Sequence, residues 1–165
     1  MGALAEWLAG TQASLAIQDM LWIVPTVQTV HILAMSVVMS SMFMIGLRIL
    51  NLAGGYHTMT EAARRFLPWM WWALAVNLIT GLVLIIGEPW RTLNNPTFWL
   101  KMALLAVAVA AAAGFERTLR RDAGFWERRP GDRKTVRVLV ATNFLLWCCV
   151  IVAGRWIAYT DVPPP

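Results

Sequence analysis

The fold of this chain is decided by one long uncharged stretch. Residues 21–47 read LWIVPTVQTVHILAMSVVMSSMFMIGL, and Arg48 follows them. The stretch contains no Asp, Glu, Lys or Arg, and His31 is its only side chain of the acid–base kind. A helix of about 20 mostly apolar residues crosses the hydrocarbon layer of a bilayer, because each residue adds roughly 1.5 Å. Residues 21–47 therefore predict a transmembrane helix.

Three further apolar stretches follow, at about residues 66–87, 97–115 and 136–157. Hydrophobic residues make up 59% of the chain and charged residues only 14%, whereas soluble domains carry about 25% charged residues. This composition excludes a soluble domain, a disordered chain and a disulfide scaffold. Backbone polar groups in lipid must be paired within their own segment, which favours helices. We predict an all-α membrane protein in which residues 1–165 form a single transmembrane domain, an up-down four-helix bundle.

The residues before the first span predict a helix that lies on the membrane surface. Apolar side chains recur there at helical spacing: Leu4, Trp7, Leu8 and Leu15, with Thr11 between them. The segment has no basic start and carries Glu6 and Asp19, unlike a secretory signal. We therefore expect an interfacial helix over residues 3–18.

The third span, residues 97–115, is rich in small residues: Ala106, Ala108, Ala110, Ala111, Ala112, Ala113 and Gly114. Small residues allow helices to approach each other closely in lipid. We expect this helix to pack at the centre of the bundle.

The basic residues predict the orientation of the chain. Eleven of the fourteen Lys and Arg residues lie in the segments 48–65 and 116–137. Cytoplasmic loops carry such an excess of basic residues, so both termini are expected on the opposite face. The chain is accordingly predicted to be a multi-pass protein of the bacterial inner (plasma) membrane with periplasmic termini. The net charge of +5 has this topological explanation, and no nucleic-acid partner is expected.

His31 is the most unusual residue of the first span. It lies about ten residues into the helix, or roughly 15 Å from its start, where an ionisable side chain is costly. Two interpretations remain open. The imidazole is either a core residue that hydrogen-bonds Gln28 or a neighbouring helix, or it is a metal, haem or proton site. Asn77, Thr80 and Asn143 are expected to form hydrogen bonds between helices.

Three methionines share the helical face of His31: Met35, Met39 and Met42. At i+4, i+8 and i+11 they fall within about 80° of the helical wheel. Thioether and imidazole groups together suit Cu(I) or the edge of a haem. Methionine also commonly fills gaps in apolar cores, and core packing is therefore the alternative interpretation.

Three cations depart from the orientation pattern and lie on the expected periplasmic side: Arg91, Lys101 and Arg155. Such side chains extend to the headgroups, pair with acids or bind an anion. Acidic residues at a similar level are available for pairing: Asp19, Glu88 and Asp161. A haem held at His31 would send its propionates toward one membrane surface. Lys101 lies about six residues of helix rise, roughly 9 Å, from the level of His31, which is similar to the span from haem iron to propionate.

Two stretches resemble helices of known bacterial membrane families. One is Thr29–Ala34 (TVHILA), followed by Gly46, Leu47 and Arg48, and the other is residues 95–105 (NPTFWLKMALL). This arrangement, with a His on one helix and a Lys on another, is similar to the copper-resistance D-type membrane domain. It is also similar to the HemJ-type protoporphyrinogen oxidase, a haem-associated four-helix protein, and it resembles an uncharacterised bacterial family of four-span proteins.

The resemblance implies roles for particular residues. In the HemJ type the helix-one His and the helix-three Lys matter for activity, and they correspond to His31 and Lys101. The copper type implies import of copper, with which the three methionines are compatible. The chain differs from the HemJ type in its first loop and in having no second His late in the spans.

Three hypotheses for the function follow. The first is a protein that binds haem b through His31, holds the propionates with Lys101, Arg155 or Arg91, and acts in redox or electron transfer. The second is Cu(I) binding or transport along His31 and the three methionines of its face. The third is a structural or assembly subunit without a cofactor. His57 is expected to be a solvated loop residue, so a second axial ligand would be a Met, would be absent, or would be the His31 of another copy.

Overall fold

The computed structural model describes residues 2–50, 52, 58–121, 133–157 and 159–160. This part of the chain contains seven helices and no strands: α1 (Gly2–Ala9), α2 (Gln12–Asp19), α3 (Ile23–Ile49), α4 (Met59–Gly87), α5 (Pro89–Leu93), α6 (Pro96–Arg121) and α7 (Arg133–Trp156). The predictions of a solvated His57 and of Asp161 as an acidic partner lie outside the described residues.

Four of these helices, α3, α4, α6 and α7, are long and apolar enough to cross a membrane. Their membrane-competent parts are Ile23–Ile49, Thr60–Gly87, Pro96–Arg121 and Val138–Trp156. Large apolar side chains cover the outer surfaces of these helices, which suits helices that are surrounded by lipid. The prediction of an all-α protein with four transmembrane helices is therefore confirmed.

Two spans are longer than their apolar stretches indicate. α4 begins at Met59, well before Phe66, because Thr58 and Glu61 form a capping box. The Thr58 hydroxyl accepts from the Glu61 N–H at 3.2 Å, and the Glu61 carboxylate accepts from the Thr58 N–H at 2.8 Å. α6 continues through charged residues to Arg121, where a basic last turn suits the negative end of the helix dipole.

The four spans alternate in direction. Three close contacts each join the early part of one span to the late part of another: His31 with Thr80, Trp71 with Glu116, and Lys101 with Gly154. Such contacts form only when the two helices of a pair run antiparallel. The order α3, α4, α6, α7 therefore gives the up-down bundle that the apolar pattern predicts.

All four spans contribute to one core. Trp147 of α7 is fully buried, and Val38, Met70 and Ala108 are its buried counterparts from α3, α4 and α6. We call the buried residues of this core the central cluster. The further members are Ile45, Ala63, Leu67, Ala73, Ala112 and Leu119.

α6 lies to one side of this core. α3 and α4 form the most extensive helix pair, whereas α6 packs chiefly against α7 and touches α4 only over a short length. The small residues of α6 are divided between two faces, since Ala108 and Ala112 are buried but Ala106, Ala110 and Ala111 are exposed. The prediction that this helix packs at the centre of the bundle is therefore wrong.

The N-terminal segment forms two short helices where the sequence predicts one. α1 ends at Ala9 and α2 begins at Gln12, because the Thr11 hydroxyl caps α2 by accepting from the Ser14 N–H at 3.3 Å. Gly10 is a poor helix former, and Thr is a favoured N-cap residue. The single helix expected over residues 3–18 is thus interrupted at Gly10 and Thr11.

α1, α2 and α5 cover one end of the bundle, which we call the cap end. Ala5 of α1 packs with Leu93 of α5 and Phe98 of α6. Ile17 of α2 lies so close to Gly87 of α4 that a Cβ atom at Gly87 would come within 2.9 Å of Ile17 Cγ2. α3 and α6 begin at the cap end, and α4 and α7 end there. We call the opposite end of the bundle the far end.

Candidate functional site

His31 contacts the neighbouring helix rather than its own. It lies eight residues after the start of α3, or roughly 12 Å into the bundle from the cap end. Its Nδ1 atom is 2.7 Å from Oγ1 of Thr80, a buried residue of α4. Gln28 is exposed and forms no hydrogen bond with the His31 ring. The sequence allows either Gln28 or a neighbouring helix as the partner of His31, and the structure shows the neighbouring helix.

The Thr80 hydroxyl is the hydrogen-bond partner of Nδ1 of His31. Thr80 Oγ1 is also 2.7 Å from the Val76 carbonyl oxygen, which only accepts hydrogen bonds. If Thr80 donates to Nδ1, Nε2 carries the proton, and if the hydroxyl proton goes to Val76, Thr80 accepts from Nδ1–H of His31. In the second arrangement Nε2 carries a free lone pair, and no second hydrogen bond to His31 occurs among the described residues. This neutral tautomer is the form of histidine that binds metals.

The backbone of α4 also approaches the His31 ring. Gly81 follows Thr80, and a Cβ atom at Gly81 would lie 3.6 Å from Cε1 of His31. A methyl group at this distance would be in ordinary contact, but a longer side chain would compete with the ring for space. Thr80 and Gly81 together hold one edge of the imidazole against α4.

Lys101 is another ionisable side chain that is partly buried in the bundle. It lies five residues after the start of α6, or roughly 7.5 Å from the cap end, so the offset from His31 is about 4.5 Å and not the roughly 9 Å that the sequence predicts. Its side chain runs over Gly154 of α7, where a Cβ atom would be 3.5 Å from the Lys101 Nζ. Within the described ranges Lys101 forms no ion pair and no hydrogen bond. Among the described residues α6 packs against α7 and does not contact α3, the helix of His31, so Lys101 approaches the core from the α7 side.

The two arginines of the predicted site have other partners. Arg155 places its guanidinium 5.5 Å from the centre of the Tyr159 ring, and its Nη2 atom lies 3.3 Å from the Tyr159 hydroxyl. Arg91 forms an ion pair with Glu88 at 3.1 Å, which confirms the predicted pairing with that acid. Both arginines are exposed at the cap end. The structure therefore leaves both arginines at the surface, whereas His31 and Lys101 are partly buried at similar depths from the cap end.

The three methionines of the predicted copper stripe border the core. Met35, Met39 and Met42 are half-buried and pack against the central cluster. Their positions agree with the interpretation that they fill the core. In the part of the chain that the structure describes, no three His, Cys, Asp or Glu side chains form a group able to hold a metal ion. Binding of Cu(I) by His31 and these thioethers stays a prediction.

Buried polar atoms near the bundle centre lack partners. Asn77 donates to the Ala73 carbonyl of its own helix at 3.1 Å, and its Oδ1 atom has no partner among the described residues. The same holds for Oδ1 of Asn143 and Nε1 of Trp147. Of the three hydrogen bonds expected between helices, the structure therefore shows only that of Thr80.

A polar group at the far end was missed by the sequence interpretation. The Glu116 carboxylate accepts a hydrogen bond of 2.8 Å from Nε1 of Trp71 and two, of 2.7 and 3.0 Å, from Arg120. The spacing of Glu116 and Arg120 by four residues was a usable signal for their pairing. Nothing in the local sequence pointed to Trp71, which lies on another helix.

Comparison with protein families places the chain in a group whose function is unknown. Residues 21–160 match the family described as DUF6644. The chain belongs to this family. The matched range includes His31 and Lys101, whereas α1 and α2 precede it. No curated protein and no solved structure matches this DUF6644 protein.

Proposed function

We propose that this DUF6644 protein binds haem b inside the membrane, with His31 as axial ligand, and acts in redox or electron transfer. The observation that carries the proposal is the state of the His31 ring. Thr80 holds Nδ1 at 2.7 Å and leaves Nε2 without a partner among the described residues. Metal-ligating histidines are characteristically oriented in this way, by a hydrogen bond from the nitrogen that does not bind the metal.

The number of protein ligands favours a haem over a bare metal ion. The porphyrin itself supplies four nitrogen ligands, so one histidine from the chain is enough. A bare ion needs three or four protein ligands, and the described residues offer no such group of His, Cys, Asp or Glu. A haem supplies one-electron redox chemistry when it is bound, and the apolar spans around His31 would keep water from it.

Lys101 is the residue that would bind a haem propionate. Its side chain is partly buried beside Gly154 and has no acidic partner among the described residues, and it starts at a depth similar to that of His31. Arg91 and Arg155 would first have to leave Glu88 and Tyr159. The proposed site therefore consists of His31 as ligand, Thr80 as the residue that orients it, and Lys101 as the anion-binding group.

The Lys101→Met variant tests the anion-binding role. The detergent-purified wild-type protein is expected to bind haem and to show a Soret band. Lys101→Met is expected to bind haem at least about tenfold more weakly, because a charged hydrogen bond is worth about 1.5–3 kcal/mol. Absorbance titration of haem-free protein measures this. Arg91→Met is the matched control and should bind as the wild type does, and equal weakening in both variants would remove Lys101 from the site.

The same purified sample distinguishes the alternatives. Copper at one equivalent per chain, without a Soret band, would favour Cu(I) binding along His31, Met35, Met39 and Met42. Absence of both haem and copper after expression with ample haem and copper would favour a structural or assembly subunit. The haem proposal includes a redox partner, since electrons must enter and leave the site. It also includes the case in which a second copy of the chain supplies another axial ligand.

We further propose that the protein lies in the bacterial inner membrane with its cap end on the periplasmic face. The described basic residues at the far end support this orientation: Arg48, Arg64, Arg65, Arg117, Arg120 and Arg121. In a variant without Cys148 and Cys149, Trp7→Cys should react with a membrane-impermeant maleimide in intact spheroplasts. Arg117→Cys should react only after lysis, and the reverse pattern would invert the topology.

A further inference from the structure

A groove opens toward the membrane between α3 and α4, away from His31 and Lys101. Its volume is about 440 Å³, which lies within the roughly 300–1,000 Å³ of small-molecule sites. We call it the serine groove. It is lined mostly by apolar surface, and its lining residues are Leu33, Ser36, Val37, Ser40, Ser41, Met44, Phe66 and Trp69.

Two of the three serines have unused hydroxyl groups. The Ser36 hydroxyl donates to the Ile32 carbonyl of the preceding turn at 3.0 Å, as serines in membrane helices commonly do. Ser40 and Ser41 form no hydrogen bond with any of the described residues. Ser41 is only 4% exposed, so its hydroxyl faces a confined space. A hydroxyl in an apolar surrounding gains free energy when a ligand supplies a partner.

The depth of these hydroxyls restricts the kind of ligand. Ser40 lies nine residues before the end of α3 at Ile49, or roughly 14 Å along the helix. A helix of 27 residues centred in a hydrocarbon layer of about 30 Å extends about 5 Å beyond it at each end. Ser40 is then roughly 9 Å inside the hydrocarbon. Phospholipid ester groups lie at the edge of that layer, so the ligand must be an amphiphile that carries a polar group deeper.

The rim of the groove disfavours a second helix as its occupant. Helices that pair through small residues in lipid bring their backbones close together. Trp69 stands at the rim with 66% of its surface exposed, and Phe66 lies beside it. These rings would hold a second helix away from Ser40 and Ser41, whereas a flat molecule could lie between them.

We propose that the serine groove binds the head group of a prenylated quinone. The quinone carbonyl oxygens would accept hydrogen bonds from Ser40 and Ser41, and the flat ring would lie against Met44, Phe66 and Trp69. The prenyl tail would extend along the apolar surface of α3 and α4. Binding at this groove uses none of the residues of the proposed haem site.

The test is photo-crosslinking of a prenylated quinone that carries a photoreactive group, with the full-length protein in nanodiscs. Peptide mass spectrometry is expected to place the adduct within residues 33–44 or 66–69. The double variant Ser40→Ala/Ser41→Ala should need at least about tenfold more probe for half-maximal labelling, because two hydrogen bonds are lost. Ser36→Ala is the matched control and should label as the wild type does, since the Ser36 hydroxyl already bonds Ile32.

Three results would overturn the proposal. Equal labelling of the double variant and the wild type would show that the hydroxyls do not recognise the ligand. Competition by a prenyl hydrocarbon that is as strong as competition by unlabelled quinone would make the groove an acyl-chain site. A change of oligomeric state in the double variant would assign the groove to contact with a second copy. Thermal unfolding of each variant confirms that it is folded.

Discussion

Replacing His31 with alanine is expected to abolish haem binding while the protein remains folded. The variant loses the Nε2 lone pair that would bind the iron, and alanine is readily accommodated in an apolar helix. The loss of affinity should exceed the roughly 10–100-fold that removal of an orienting partner costs. Haem content and the Soret band of the detergent-purified protein, measured after expression with ample haem, give the result.

Two further variants make the His31 result specific. Thr80→Val removes the hydrogen-bond partner of Nδ1 but keeps the shape of the side chain, so it should weaken haem binding about 10–100-fold. Gln28→Ala removes an exposed polar group one turn before His31 and should leave binding unchanged. An unaltered Soret band in His31→Ala would mean that the iron is held elsewhere or is not held by the chain.

Replacing Trp147 with alanine is expected to cause the largest loss of stability. Trp147 is fully buried, and it is the largest of the fully buried side chains. Truncation of a buried tryptophan costs about 3–5 kcal/mol, because the cavity left behind does not refill completely. The free energy of unfolding, measured by titration with SDS in mixed micelles, is the quantity to compare with the wild type.

Trp72→Ala is the matched control for Trp147→Ala. Trp72 is 73% exposed on the membrane face, so its removal should change the free energy of unfolding by no more than about 0.5 kcal/mol. Trp147→Phe removes an Nε1–H that has no partner among the described residues but keeps most of the volume, and should cost less than about 1.5 kcal/mol. Equal costs for the two alanine variants would contradict the position of Trp147 in the core.

The apolar runs were enough to predict the four spans, because lipid imposes length and composition directly on the sequence. The depth of His31 followed from the same reasoning. Thr80 could not be predicted as the partner of His31, because helical spacing relates residues of one helix and not those of a neighbouring helix. Lys101 was recognised as unusual from its position in the chain. Only the packing of α6 against α7 shows that it runs over Gly154.

Other features depended on local chemistry that the apolar pattern obscures. The capping box at Thr58 and Glu61 lengthens α4, and the cap at Thr11 divides the N-terminal helix. Both caps are short polar motifs, and hydropathy does not reveal them because it averages over longer stretches. The alanines of α6 did not predict where this helix packs in the bundle. Small residues permit close packing on any face, and they do not indicate which face is used.

The dominance of the α3–α4 pair has a consequence for biosynthesis. A nascent chain that has emerged as far as Gly87 already contains both helices of the most extensive contact, together with the hydrogen bond between His31 and Thr80. The contact between His31 and Thr80 can therefore form in the first helical hairpin to leave the ribosome. Lys101 and Gly154 are added later with the second hairpin, so the protein can assemble its interior in two ordered insertion events.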